Sequence, residues 1–371
     1  MSTQEGKIIR RSSDVVSEAL STIHKYQEGE ILPARCCYDY INKALMGGFR
    51  PQRVVAIGGR TGTGKNYVAQ KILESILDKK LNPQADDYIL LRCEFEMTPL
   101  DLLLRRISRE LGRSIEDIIN SKQTEDDERR IEAIAQSESS PNIFYIPKPC
   151  TIDEFILNVR KFLDYFVNKK LVFVLIDHIA LIKRVGGDAK KSIDTLLASV
   201  NDMKLNYKNV VFMVLTQFNR GIEDREDPKV QAPRLSDVYQ SDELAQLCEM
   251  VIGLHNPISL GIDKYMLFNP ARYTTFERFK TDKRNQFQTE GLIFHHILKL
   301  RMKNMFDKEH PLDDLYVECK KGYLDLYPEK QEMTYSKKPN DNKNKKVEPE
   351  EKDIEEVDDN TFTSPAEDCP F

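Results

Sequence analysis

Nowhere in the 371 residues do about eighteen uncharged apolar side chains run together, and no apolar run follows Met1. Neither a membrane span nor a secretory leader is indicated, so the chain is expected in the cytoplasm with no membrane partner. Paired cysteine motifs are missing too: the seven cysteines are scattered, Cys36 and Cys37 are adjacent, and no C-x-x-C occurs. A disulfide framework and a zinc site are thereby excluded as organising devices, and the thiols are expected to be reduced and mostly buried. The body of the chain also has no excess of either charge. Residues 336–371 carry 6 Lys against 11 Asp+Glu, which accounts for the whole net charge of −5, and residues 1–335 are balanced at 49 basic and 49 acidic side chains. Bulk charge therefore does not demand nucleic acid, and any such contact must come from local patches.

A hydrophobic content of 40% over this length is enough for a sizeable core. Ser13 is positioned to cap a short helix with Val16, Leu20 and Ile23 on one face and Gly29 as its stop. From Pro33 to about Pro328, strands at Val54–Ile57, Tyr88–Leu91, Val172–Ile176, Val210–Leu215 and Met250–Leu254 alternate with helical segments. Continuous apolar runs separated by helices predict a mainly parallel sheet covered on both faces. Thr151-Ile152-Asp153-Glu154 reads as a capping box. Ile293–Leu300 and Leu315–Glu318 read as a terminal pair of strands. Beyond Pro328 apolar residues nearly vanish, and that stretch is expected to be disordered.

The apolar run Val54-Val55-Ala56-Ile57 leads into Gly59-Arg60-Thr61-Gly62-Thr63-Gly64-Lys65 and then a helix from Tyr67 to Leu77. A strand, a glycine loop and a helix in this order build a triphosphate cradle. Backbone N–H groups converge on phosphate oxygens, the helix turns its positive end toward them, and Lys65 supplies a point charge. The pattern GxxxxGK[ST] asks for a hydroxyl on Mg²⁺ where this chain has Asn66, which offers a carboxamide oxygen. Leu171–Ile176 ends in Asp177, a carboxylate at a strand end suited to holding Mg²⁺. Cys93-Glu94-Phe95-Glu96-Met97 places two acids after another strand; either one is able to polarise the attacking water, and alternation puts both on one side. Val210–Leu215 ends in Thr216-Gln217, a polar pair suited to sensing the γ-phosphate. Lys299 and Arg301 alternate on a strand, far in sequence from the loop.

Taken together, residues from about Glu30 to Tyr327 resemble the RecA-fold motor domain of DnaB-type replicative helicases. Gly47-Gly48-Phe49-Arg50-Pro51 resembles that family's GGF-x-P lead-in, and Phe95-Glu96-Met97 its L-E-M motif, which implies Glu96 rather than Glu94 as the base. Thr216-Gln217-Phe218-Asn219-Arg220 with Glu223 and Arg225 resembles S-Q-L-N-R…E-x-R. Leu235-Ser236-Asp237 resembles the L-S-D that opens a DNA-contacting loop, and Lys299-x-Arg301 the K-x-R finger that acts across subunits. The resemblance implies an ATP hydrolase that uses Mg²⁺, single-stranded DNA as partner, a homo-hexameric ring, 5′→3′ translocation, a separate primase and a loader. DNA contacts are expected from Arg184, Ser236, Gln240 and Ser241. The family's R-E-S-G appears here as Tyr239-Gln240-Ser241-Asp242, and Asp177-His178-Ile179 is closer to T7-type phage primase-helicases. A compact form of phage or mobile-element type, lacking the N-terminal primase-recruiting domain, is therefore expected, with the host cytoplasm as its place of action. Its parts are an arm and linker helix at 1–30, the ATPase/helicase body at 31–335 and a tail at 336–371. The rival reading is a RecA/RadA-like or KaiC-like ATPase that does not separate strands.

Two segments remain. Arg272–Arg284 interleaves three aromatics with five cations, either a single-strand contact or a helix with a buried aromatic side. The ending Glu367-Asp368-Cys369-Pro370-Phe371 resembles the acidic Pro-Phe tip of bacterial single-stranded-DNA-binding proteins, which implies recruitment of tip-binding replication proteins; the other reading is a solvating acidic tail.

Overall fold

The long apolar runs become strands because their side chains serve two cores at once. In a computed structural model, which describes residues 9–177, 189–225, 232–238, 242–262, 264–266, 286–288, 292–301, 315–319 and 330–331, the elements are, in chain order, α1 (Ser12–Gln27), α2 (Asp39–Ala44), β1 (Arg53–Gly59), α3 (Lys65–Ile76), β2 (Tyr88–Glu94), α4 (Pro99–Leu111), α5 (Ile115–Asn120), α6 (Glu125–Glu138), β3 (Ile143–Ile146), α7 (Ile152–Tyr165), β4 (Leu171–Asp177), α8 (Ala189–Asn206), β5 (Val210–Gln217), α9 (Asp242–Leu247), β6 (Met250–His255), β7 (Lys264–Met266), β8 (Gln286–Gln288), β9 (Leu292–Leu300), β10 (Leu315–Cys319) and β11 (Lys330–Gln331). The chain divides into a body, Met1–Met333, and a terminal unit, Thr334–Phe371; all described residues belong to the body. The tail and its tip therefore lie outside the described residues, as does the segment 272–284.

Among the described residues the main sheet runs in the order β11-β10-β9-β6-β1-β5-β4-β2-β3. The six strands from β6 to β3 are parallel, and β9, β10 and β11 join antiparallel at one edge. Alternation divides each central strand between two faces. Val54, Ala56, Val172, Val174, Phe212 and Val214 pack with Phe155 and Val159 of α7 and Leu196 and Val200 of α8. Val55, Ile57, Phe173, Leu175, Val211 and Met213 pack with Val68, Ile72 and Leu73 of α3 and with Tyr38 and Phe49. Each Val, Leu, Ile, Phe or Met among them, fully buried, contributes about 1.5–3 kcal/mol, so both faces anchor the strand ends that carry chemistry.

Thr151 Oγ1 accepts from Glu154 N at 3.2 Å and Glu154 Oε2 accepts from Thr151 N at 2.8 Å, the capping box expected at α7. Helix α1 differs from expectation: Arg11, not Ser13, stands at its N-cap, without a side-chain cap bond, and Ser13 lies inside the helix. Gly29, with φ +72°, follows the C-cap as its stop. The lead-in glycines have a structural reason. Gly48 sits at φ +141°, and a Cβ there would meet the Ala34 carbonyl oxygen at 2.4 Å. That close approach lets Ala34 and Phe49 exchange two backbone hydrogen bonds of 2.8 Å, which seats Phe49 edge-on against Phe173 at 5.2 Å. Strand β3 was not anticipated: it is a four-residue edge strand, half-buried throughout, too short for period 2 to distinguish it from a helix turn.

Candidate active site

Parallel register brings four strand ends to one edge of the sheet, where open α/β sheets place their ligands. Gly59 pairs with Gln217, Ile176 with Val214, and Glu94 with Asp177, so the loop, the Thr-Gln pair and the carboxylates lie side by side. The loop turns through Gly62 at φ +79° and Gly64 at φ +89° before α3 begins at Lys65. Thr61 and Gly62 face solvent, whereas Thr63 is buried and its hydroxyl donates to Arg60 O at 2.7 Å. Lys65 Nζ folds back over the loop and donates to Gly59 O at 3.0 Å and Arg60 O at 3.1 Å. Burial pulls this ammonium below its ordinary value, while Glu96 and Asp177 pull it back up.

Asp177 is 1% exposed. Asn66 Nδ2 donates to its Oδ2 at 2.9 Å, and Oδ1 is buried without a hydrogen-bond donor. Burial and the neighbouring Glu94 and Glu96 push this carboxyl up to about 8, against the pull of Lys65. A buried carboxylate oxygen without a donor, beside a second carboxylate, fits a divalent cation. Among the described residues no group of three or more His, Cys, Asp or Glu is placed to hold a metal alone, so phosphate and water oxygens would complete the shell, as Mg²⁺ requires.

The two acids after β2 part company. Glu94, the last residue of the strand, is 2% exposed and accepts from Arg92 Nε at 3.1 Å. Glu96 lies beyond the strand, where alternation no longer applies, and is exposed. Glu96 still lies close enough to act electrostatically on both Lys65 and Asp177. The Arg92–Glu94 pair was missed from sequence; an arginine inside an otherwise apolar strand was the available signal, because a buried cation needs a partner.

Beyond Gln217 the chain connects the loop to the L-S-D turn. Arg60 Nε donates to Glu223 Oε1 at 2.5 Å and its Nη1 to Phe218 O at 3.1 Å. Phe218 bridges Val238, Asn219 N donates to Asp237 O at 2.8 Å, and Arg225 Nη2 donates to Asp237 Oδ1. Ser236 is exposed. Arg184, Gln240, Ser241 and His178 lie outside the described residues.

Lys299 and Arg301 are not brought to this site within one chain. Lys299 pairs with Val251 at the start of β6, near the strand ends opposite the loop. Lys299 Nζ donates to Ala245 O and Arg301 Nη2 to Gln246 O, both on the last turn of α9.

The family model for the DnaB-like helicase C-terminal domain matches residues 37–270. A sequence comparison with curated proteins finds no match. Among solved structures the chain is similar to the ATPase domain of a phage helicase, at 18% identity and TM-score 0.57 over 77% of this chain and 91% of that one. It is also similar to a DnaB-like replicative helicase whose structure is described with its interactions with primase, at 18% identity and TM-score 0.54 over 77% of this chain and 61% of that one. These likenesses concern the fold, and the family model carries the membership. The chain belongs to the DnaB-like helicase C-terminal domain family, and is an ATP-driven helicase motor of RecA-like fold.

Proposed function

We propose that this motor assembles as a homo-hexameric ring in the cytoplasm, encircles one strand of DNA and moves along it 5′→3′ while hydrolysing ATP, with a separate primase and a loader as partners. Lys65 binds the β- and γ-phosphates, and the loop amides from Gly59 to Asn66 cradle them. Glu96 takes the proton of the attacking water. Gln217 contacts the γ-phosphate and passes its loss through Phe218 and Asn219 to Asp237 and the turn that carries Ser236. Asp177 and Asn66 would hold Mg²⁺, which when bound offsets charge on the phosphates. Arg184, Ser236, Gln240 and Ser241 contact the DNA strand. The acidic Pro-Phe tip recruits replication proteins. No observation favours the recombination-type alternative.

The observation that carries the ring is the separation of the chemistry within one chain. Lys65, Glu96, Asp177 and Gln217 belong to the loop edge of the sheet, whereas Lys299 pairs with Val251 and Arg301 N donates to Glu249 O at 2.8 Å, toward the other edge. Lys299 stands about 10 Å along the strands from the level of Gly59 and two strands to the side, beyond what a lysine arm spans. A second copy supplies the missing cations in the neighbour's site. A forked duplex with ATP tests the function: strand separation that needs hydrolysis and a single-stranded 5′ arm is expected. Coating of single strands with no separation of the fork would overturn the helicase reading in favour of the recombination type.

A further inference from the structure

The residue after the loop lysine lacks the expected hydroxyl, and its replacement is already engaged. Asn66 donates Nδ2 to Asp177 Oδ2 at 2.9 Å, so the amide orients the carboxylate and has only its carbonyl oxygen, in place of a hydroxyl, left for the ion. On the strand beside Asp177 the reverse is found. Glu94 closes β2 in register with Asp177, which closes β4, and residues paired on parallel strands turn their side chains to the same face. The two carboxylates are 2% and 1% exposed.

Glu94 is held firmly from behind. Arg92 Nε donates to Glu94 Oε1 at 3.1 Å, and Arg92 Nη1 donates to Tyr145 OH at 3.3 Å. Arg92 also lies 3.8 Å from Glu138 Oε2, to which Tyr145 OH donates at 3.0 Å. A buried ion pair gains little over apolar packing, so stability is a poor reason for carrying Arg92 and Glu94 in a strand core. Glu94 lies within side-chain hydrogen-bond reach of Asp177, where a shared proton or a cation has to offset the repulsion of the two carboxylates, and Asp177 Oδ1 has no other donor. A divalent cation relieves both at once.

We propose that Glu94 is a second carboxylate of the divalent-cation site, positioned by Arg92, and that it makes up for the hydroxyl missing at Asn66. The ion takes an oxygen of Glu94, directly or through a bound water, as well as Asp177 and the nucleotide's phosphates; magnesium sites built on one or two carboxylates plus phosphates are common. The inference rests on the reading of Asp177 as a residue of the ion site, and the two are separable.

The test measures free Mn²⁺ by electron paramagnetic resonance against the full chain saturated with a non-hydrolysable ATP analogue. Glu94→Gln is expected to weaken Mn²⁺ binding about tenfold or more and to leave affinity for the analogue without metal unchanged. Adding Asn66→Thr to Glu94→Gln should restore most of the loss. Because Glu94→Gln leaves Arg92 short of its counter-charge, Glu94→Asp is measured alongside. It keeps the charge and shortens the arm, and circular dichroism checks its fold; weakened Mn²⁺ binding is expected here too. If Asp177→Asn weakens Mn²⁺ binding while both Glu94 variants bind like the parent chain, Glu94 is only the partner of Arg92 and the inference falls, with the Asp177 reading intact. If Asp177→Asn itself binds like the parent, the reading of Asp177 fails and takes the inference with it.

Discussion

Lys65 donates its hydrogen bonds to Gly59 O and Arg60 O, so the loop is kept in shape by the same cation that the proposed function assigns to the phosphates. Lys65→Ala removes both the scaffold and the charge; DNA-stimulated phosphate release should fall by about 100-fold or more. Glu96→Gln should bind a fluorescent ATP analogue like the parent chain yet cease turnover, and parental turnover would remove Glu96 from the role of base. The glycine loop, Asp177 and Gln217 were legible because each follows an apolar run whose direction sets where it ends. The split between Glu94 and Glu96 was not. Alternation puts residues i and i+2 on one side only while the strand lasts, and β2 lasts as long as its register with β4, ending at Glu94 opposite Asp177. That limit comes from a partner strand 83 positions along the chain, which no local pattern contains.

At the scale of elements, the turn Leu235–Asp237 is fastened to the end of β5 by the Phe218–Val238 bridge and by Asp237, whose side chain accepts from Arg225 and from Arg234 N at 2.7 Å. Arg60 of the nucleotide loop reaches the same stretch through Glu223. Asp237→Asn keeps the shape and removes the charge that holds Arg225. Basal hydrolysis should persist while stimulation by single-stranded DNA drops severalfold, measured as the ratio of the two rates; an unchanged ratio would mean that the turn does not carry the signal. Among elements, the helix opened by Thr151 was legible because a capping box is a local device, and β3 was not because an edge strand is defined by its neighbour. The contacts of Arg92 with Glu138 and Tyr145 join β2 to α6 and β3, and only the assembled sheet makes them neighbours.

For the whole molecule, the distance between the two edges of the sheet makes a direct prediction about assembly. Mixing Lys65→Ala with Arg301→Ala, each inactive alone, should restore part of the hydrolysis, since some interfaces then combine an intact loop with an intact finger. No recovery at any ratio, with co-assembly shown by sedimentation, would argue against a shared site. The body also carries a built-in acid sensitivity. Burial, with Arg225 nearby, holds His255 down to about 4 from 6.5, so the folded chain keeps this imidazole neutral while the unfolded chain protonates it. Its contribution is complete above pH 6.5 and is lost as pH falls through about 4, on the order of 3 kcal/mol at most. In thermal melts across that window His255→Phe should flatten the decline.

Helix α1 displays Val15, Val16, Leu20 and Ile23 with roughly half of each side chain in solvent (47%, 53%, 54% and 50%), and meets its own body through Lys208 to Glu18 and Arg50 over the Tyr26 ring. A helix of 16 residues is marginal in water without burial of its apolar stripe. In the proposed ring, how much of the chain is folded would then depend on whether a neighbouring copy covers this stripe. Without that neighbour α1 would fray and meet proteases first, whereas copies assembled in the ring would shelter one another. A cell making too few subunits would therefore destroy them faster than one making enough, a threshold in lifetime that arises from one uncovered stripe.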